Sequence, residues 1–137
     1  MRICASKSLR LLIAVAGMIA GSLVAPALAK APELAMLDGL VGGTWELHDR
    51  GNNVRDRICI QSGRALIQIR HRAAQCSHFV VDDGPERVTV QYTCPGDGYG
   101  RTTIRRETAR LVQIDSQGIE NGLPFHVTAE ARRVGGC

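Results

Sequence analysis

Apolar and polar residues alternate in short runs along most of the chain beyond residue 40. Thr44-Trp45-Glu46-Leu47-His48 alternates in part and Val54 to Ile60 more regularly. A period of two over four to eight residues marks a half-buried strand. Gly51-Asn52-Asn53 lies between these runs and reads as the turn of a hairpin. Further strands are predicted at Cys76 to Asp82, Arg87 to Thr93, Tyr99 to Glu107, Ala109 to Ser116 and Phe125 to Arg133. Ser116-Gln117-Gly118 and Asn121-Gly122 read as tight turns at strand ends.

Two segments follow a different rhythm. In Ala31 to Leu40 the spacing of Leu34, Leu37 and Leu40 is weakly helical, closed by Gly39 and by Gly42-Gly43. In Ser62 to Ala73, Ala65, Leu66 and Ile69 fall at helical spacing behind a Ser62 cap, although Leu66-Ile67-Gln68-Ile69 would also make a strand; a short helix is the preferred reading. The fold predicted is mainly β: one antiparallel curved sheet or half-open barrel of about six to seven strands with one short helix.

The first residues carry another grammar. Arg2, Lys7 and Arg10 precede a nearly unbroken apolar stretch from Leu11 to Val24, and Ala27-Leu28-Ala29 supplies a small-x-small cleavage pattern. Residues 1–29 are therefore expected to be a signal peptide cleaved after Ala29, because the apolar run is shorter than the ~20 residues of a spanning helix. Residues 30–42 form an N-terminal leader and 43–137 the β domain, with no stable membrane anchor after cleavage. The expected location is the periplasm or the exterior.

Cleavage alters the charge. The chain has 17 Lys and Arg against 13 Asp and Glu, and three of the cations lie in the signal, leaving 14 against 13. So balanced a chain has no clustered basic face, which argues against nucleic acid as a partner.

With Trp45, Tyr92, Tyr99, Phe79 and Phe125 as its aromatics, the core must rest on aliphatic residues and gains from cross-links. Cys59, Cys76, Cys94 and Cys137 make an even set in a chain sent to an oxidising compartment, so two disulfides are expected. Asp82-Asp83-Gly84-Pro85 is a turn midway between Cys76 and Cys94. A hairpin folded there sets the two opposite each other, pairing Cys76 with Cys94 and leaving Cys59 for Cys137. A zinc site built from these cysteines with His71, His78 or His126 is disfavoured: the chain has no Cys-x-x-Cys and no His-x-x-x-His.

Gly43-x-Trp45-Glu46, then Cys59, Cys76 and Tyr92-x-Cys94, then Arg133-Val134-Gly135-Gly136-Cys137 together resemble the small exported proteobacterial proteins grouped as domain of unknown function 3617. The likeness spans Gly43 to Cys137, with Gly43-Thr44-Trp45 in place of the usual Pro-Gly-x-Trp opening. It implies an envelope-associated β domain with structural disulfides, and it brings no catalytic residues with it.

Gly43-x-Trp45 also looks like the opening of lipocalin-type barrels, where an arginine lies over the tryptophan; Arg132 or Arg133 would play that part here. Trp45 as simply the largest core residue is the preferred reading. Cys94-Pro95-Gly96-Asp97-Gly98-Tyr99-Gly100-Arg101 presents a carboxylate, a phenol and a guanidinium in a glycine-rich stretch. Trp45, Asp97, Tyr99 and Arg101 are the candidate binding residues, and a wide turn is the alternative for the loop. Ser62, Ser77 and Ser116 with His71, His78 and His126 would furnish a nucleophile and base, but no Gly-x-Ser-x-Gly occurs and no catalytic residue is named. The expected function is a non-catalytic domain, without a cofactor, that binds a small apolar or amphipathic ligand or an envelope partner on the concave face of its sheet. A structural or protein-interaction module is the alternative, and an enzyme the third reading.

Overall fold

Residues 33–137 are described by a computed structural model; the expected signal peptide, its expected cleavage site and Lys30 to Pro32 lie outside the described residues. Seven strands form one antiparallel sheet: β1 Gly43–His48, β2 Val54–Ile60, β3 Ser77–Asp83, β4 Arg87–Cys94, β5 Gly98–Thr108, β6 Leu111–Glu120 and β7 Leu123–Gly135. The order across the sheet is β2-β1-β7-β6-β5-β4-β3. The last five strands are a plain meander, and the β1–β2 hairpin is added to it by pairing β1 with β7. β2 and β3 do not pair with each other, so the sheet stays open.

Alternation decides which side faces inward. On β4, Val88, Val90 and Tyr92 are fully buried while Arg87, Gln91 and Thr93 point out. The register carries the pattern across the sheet: Val90 opposes Thr102, Thr102 opposes Ser116, and Ser116 opposes Val127. Asn121-Gly122 makes the predicted two-residue hairpin, both residues at positive φ (50° and 79°), the conformation such a loop requires.

One expectation is corrected. Ser116-Gln117-Gly118 is not a turn but the interior of β6, which runs to Glu120. Gly118 faces Gly100 across the ladder, and a Cβ on Gly100 would fall 2.4 Å from the Tyr92 ring. Bare backbone there makes room for an aromatic on the neighbouring strand. The short helix expected in Ser62 to Ala73 is the 3-10 helix η1, Gly63–Leu66, with Ser62 capping as predicted. Beyond it the chain proceeds by turns, because Ile67 and Ile69 are drawn into the core. The 30–42 leader is joined to the domain it precedes. The one-turn helix α1, Ala35–Asp38, and its flanks place Leu34, Met36, Leu37 and Leu40 in the same core as the strands.

The inner face is thus covered by the chain itself. α1 and the 62–75 segment lie over it, joined by an ion pair between Arg64 and Asp38 at 2.7 Å. Leu34 donates its backbone N–H to the Asp83 carboxylate at 3.0 Å, which fixes the start of the leader to β3. Cys76–Cys94 and Cys59–Cys137 are the disulfides. The first links facing ends of β3 and β4. The second reaches from β2 across β1 to the end of β7, beside a bond from the Thr44 hydroxyl to the Gly136 carbonyl.

Candidate functional site

The candidate binding residues do not converge. Trp45 is 0% exposed, opposite Ile58 and Arg133, and donates its indole N–H to the Val41 carbonyl at 3.0 Å. Its side chain is wholly enclosed in the core. No arginine lies over it: Arg133 donates to the Gly42 carbonyl at 2.7 Å, and Arg132 reaches Glu130 and Asn52. Pro95-Gly96-Asp97 is the hairpin connection from β4 to β5, with the Asp97 N–H bonded to the Cys94 carbonyl at 3.0 Å. Asp97 sits in that turn, whereas Tyr99 and Arg101 emerge side by side on the outer face of β5.

The 62–75 segment is held to the sheet by buried polar contacts. His71 is 4% exposed; its Nδ1 meets the Tyr92 hydroxyl at 3.1 Å and its Nε2 the Asp97 carbonyl at 3.3 Å. A carbonyl only accepts, so Nε2 carries the proton and Nδ1 accepts from Tyr92. Burial pushes the Tyr92 hydroxyl above its ordinary pKa, which keeps it a donor at neutral pH. Thr102 donates to the Ile67 carbonyl at 2.5 Å and lies 2.7 Å from Ser116. The hydroxyls of Ser62, Ser77 and Ser116 therefore have partners other than a histidine: Asp38, the Thr93 carbonyl and Thr102.

One part of the inner face remains uncovered. Between β1 and β7, below the 69–73 segment, Leu47, Ile69, Val127 and Ala129 line a cleft of about 720 Å³. Two ion pairs frame it, Arg70 with Glu120 and Arg72 with Asp56, tying the covering segment to β6 and β2. The Arg70 guanidinium also lies 5.8 Å from the Phe125 ring centroid. The floor is hydrocarbon, with Leu47 and Ile69 buried and Val127 and Ala129 half-buried, and the rim is charge, a combination suited to a molecule with an apolar body and a polar end. None of these residues was named as a site residue from the sequence. The available signal was Val127-x-Ala129-x-Ala131, where small inward residues replace the bulky ones a core strand ordinarily carries.

The outer face is polar. Arg57, beside Glu46, holds that carboxyl below its ordinary pKa; Arg132, with help from Gln113, does the same for Glu130. The Asn53 backbone N–H, then Arg55, lowers Asp49. Among the described residues no three His, Cys, Asp or Glu side chains gather to hold a metal ion.

Fold and site define a disulfide-stapled, open antiparallel half-barrel whose core is completed by its own connecting segments. Comparison with protein-family models, curated proteins and solved structures finds no match for the chain. Two disulfides are the mark of an oxidising compartment. Among the described residues no helix is long and apolar enough to cross a membrane.

Proposed function

We propose that this chain is an exported domain of the cell envelope, as its resemblance to domain of unknown function 3617 implies, and that it is a non-catalytic binding domain that holds a small amphipathic ligand. The observation that carries this reading is the cleft over Leu47, Ile69, Val127 and Ala129 with ion pairs at its mouth. Its volume falls within the range of small-molecule sites, roughly 300–1,000 Å³. Elsewhere the concave face is occupied by Leu37, Leu66 and their neighbours, so a ligand enters at the margin of the core. The rim mixes guanidiniums with carboxylates, Arg70 with Glu120 and Arg72 with Asp56, which suits a polar head group.

Native mass spectrometry of the full chain, purified from an oxidising periplasm without denaturation, tests this. Dodecanoate is the added probe. An adduct released by denaturation, or a saturable dodecanoate adduct, is expected, and Ala129→Trp, which fills the cleft floor, should abolish it. A bare mass with and without dodecanoate overturns the reading.

A further inference from the structure

A second surface, on the opposite face of the sheet, has a composition that the cleft does not explain. The register aligns Phe79, Gln91, Arg101, Gln117 and His126 in one row across β3, β4, β5, β6 and β7. All point outward, because Val90, Tyr92, Thr102 and Ser116 on either side of them are buried. Tyr99 stands beside Arg101 on the same face of β5, and Tyr99, Gln91, Arg101 and Gln117 border a shallow depression of about 420 Å³.

The neighbouring rows satisfy one another. Thr89 bonds Thr103 at 3.0 Å, Gln113 donates to Glu130 at 2.9 Å, and Arg105 pairs with Glu107; His126, at the end of the row, is itself held by Asp115 at 3.1 Å. The side chains of Gln91, Arg101 and Gln117 form no such bond with any described residue, although adjacent positions on paired strands are within reach. Three planar groups rich in donors and acceptors are thus left facing outward in a line. Phe79 and Tyr99 flank that line, 69% and 51% exposed. Exposed aromatics beside unbonded polar groups are the mark of a recognition surface.

We propose that this row binds a linear oligosaccharide. Pyranose rings present apolar C–H faces that stack on aromatic rings, and pairs of adjacent hydroxyls that match the two-pronged amide of Gln and the fork of Arg. Five strands at ~4.8 Å spacing set out a track about 19 Å long, enough for several linked rings. The two aromatics lie on strands two apart, so they would stack on different rings of one chain.

The test is an NMR titration of the isotope-labelled full chain with two probes, the hexamer of β-1,4-linked N-acetylglucosamine and a hexamer of mannuronate. The expected result is saturable shifts of the Gln91 and Gln117 side-chain amides and the Arg101 Nε–H with at least one probe. Tyr99→Ala and Arg101→Ala should each weaken binding tenfold or more, and Arg87→Ala, on the same face outside the row, should leave it unchanged. No shifts at 10 mM of either sugar overturn the proposal. Self-association that Phe79→Ser abolishes, without sugar shifts, overturns it in favour of a protein-docking face. Dodecanoate binding in the cleft is independent of either result, since none of Gln91, Tyr99, Arg101 and Gln117 lines the cleft.

Discussion

Removing the Cys59–Cys137 bridge isolates one term of the stability, because both residues are exposed and their sulfurs fill no core space. With Cys59→Ala and Cys137→Ala the folded state loses almost no packing, and the unfolded chain is released from a closed loop of 78 residues. The loop-closure relation assigns that constraint about 4.5 kcal/mol at 25 °C. The 18-residue Cys76–Cys94 loop receives about 3.2 kcal/mol by the same relation. The difference, about 1.3 kcal/mol, depends only on the ratio of loop lengths and is close to tenfold in the unfolding equilibrium. Urea unfolding followed by Trp45 emission is the assay. The chain has one tryptophan, it is fully buried, and it lies on β1, the strand the long bridge spans. Should the variant be unfolded in water, a trimethylamine N-oxide refolding series extrapolated to zero osmolyte gives the same quantity. A loss under 1 kcal/mol would refute the entropic reasoning and mean that the open chain is already held by residual structure.

Leu37→Ala should cost about 2–5 kcal/mol in the same assay, since Leu37 is fully buried; a change within 0.5 kcal/mol would make the leader peripheral. Tyr92→Phe leaves the buried Nδ1 of His71 without its donor and should cost about 1–3 kcal/mol, with the His71 Nδ1 chemical shift moving as its hydrogen bond is lost. Asp38, Glu46, Asp49 and Glu130 all have folded pKa values depressed by cationic or backbone partners. The stability they contribute is complete above the unfolded range of about 4 and is lost as pH falls through the lower folded values. The urea midpoint should therefore hold steady from pH 7 to about pH 5 and drop below it, less steeply in 1 M NaCl; a midpoint that rises on acidification contradicts the pairing.

Most strands were legible because burial on one face imposes a period of two, and β4 with its Val88, Val90, Tyr92 series shows it plainly. The hairpin at Asp82 to Pro85 was enough to pair Cys76 with Cys94, a local inference that needs no knowledge of the rest of the sheet. Gly118 misled because glycine in a strand and glycine in a turn look alike until the strand opposite is known; the Tyr92 ring over Gly100 is a property of two strands together. The pairing of β1 with β7 joins residues about ninety positions apart, beyond any local signal. Of the candidate site residues, Tyr99 and Arg101 were visible through their unusual loop. Gln91 and Gln117 were not, because they become neighbours of Arg101 only once three strands are in register.

The disulfides are nested, Cys76–Cys94 within Cys59–Cys137. Beyond residue 29, a chain emerging from its N-terminal end presents Cys59 first and Cys76 second, so an oxidant acting on these in order of appearance joins the wrong two. β1, the natural neighbour of Cys59, cannot gain its second pairing partner until β7 has appeared. Correct maturation therefore requires either that the first thiol stay reduced until the final strand arrives, or that a thiol catalyst undo a Cys59–Cys76 intermediate. The topology makes the biogenesis of this small domain a matter of timing, with its earliest cysteine waiting for its last.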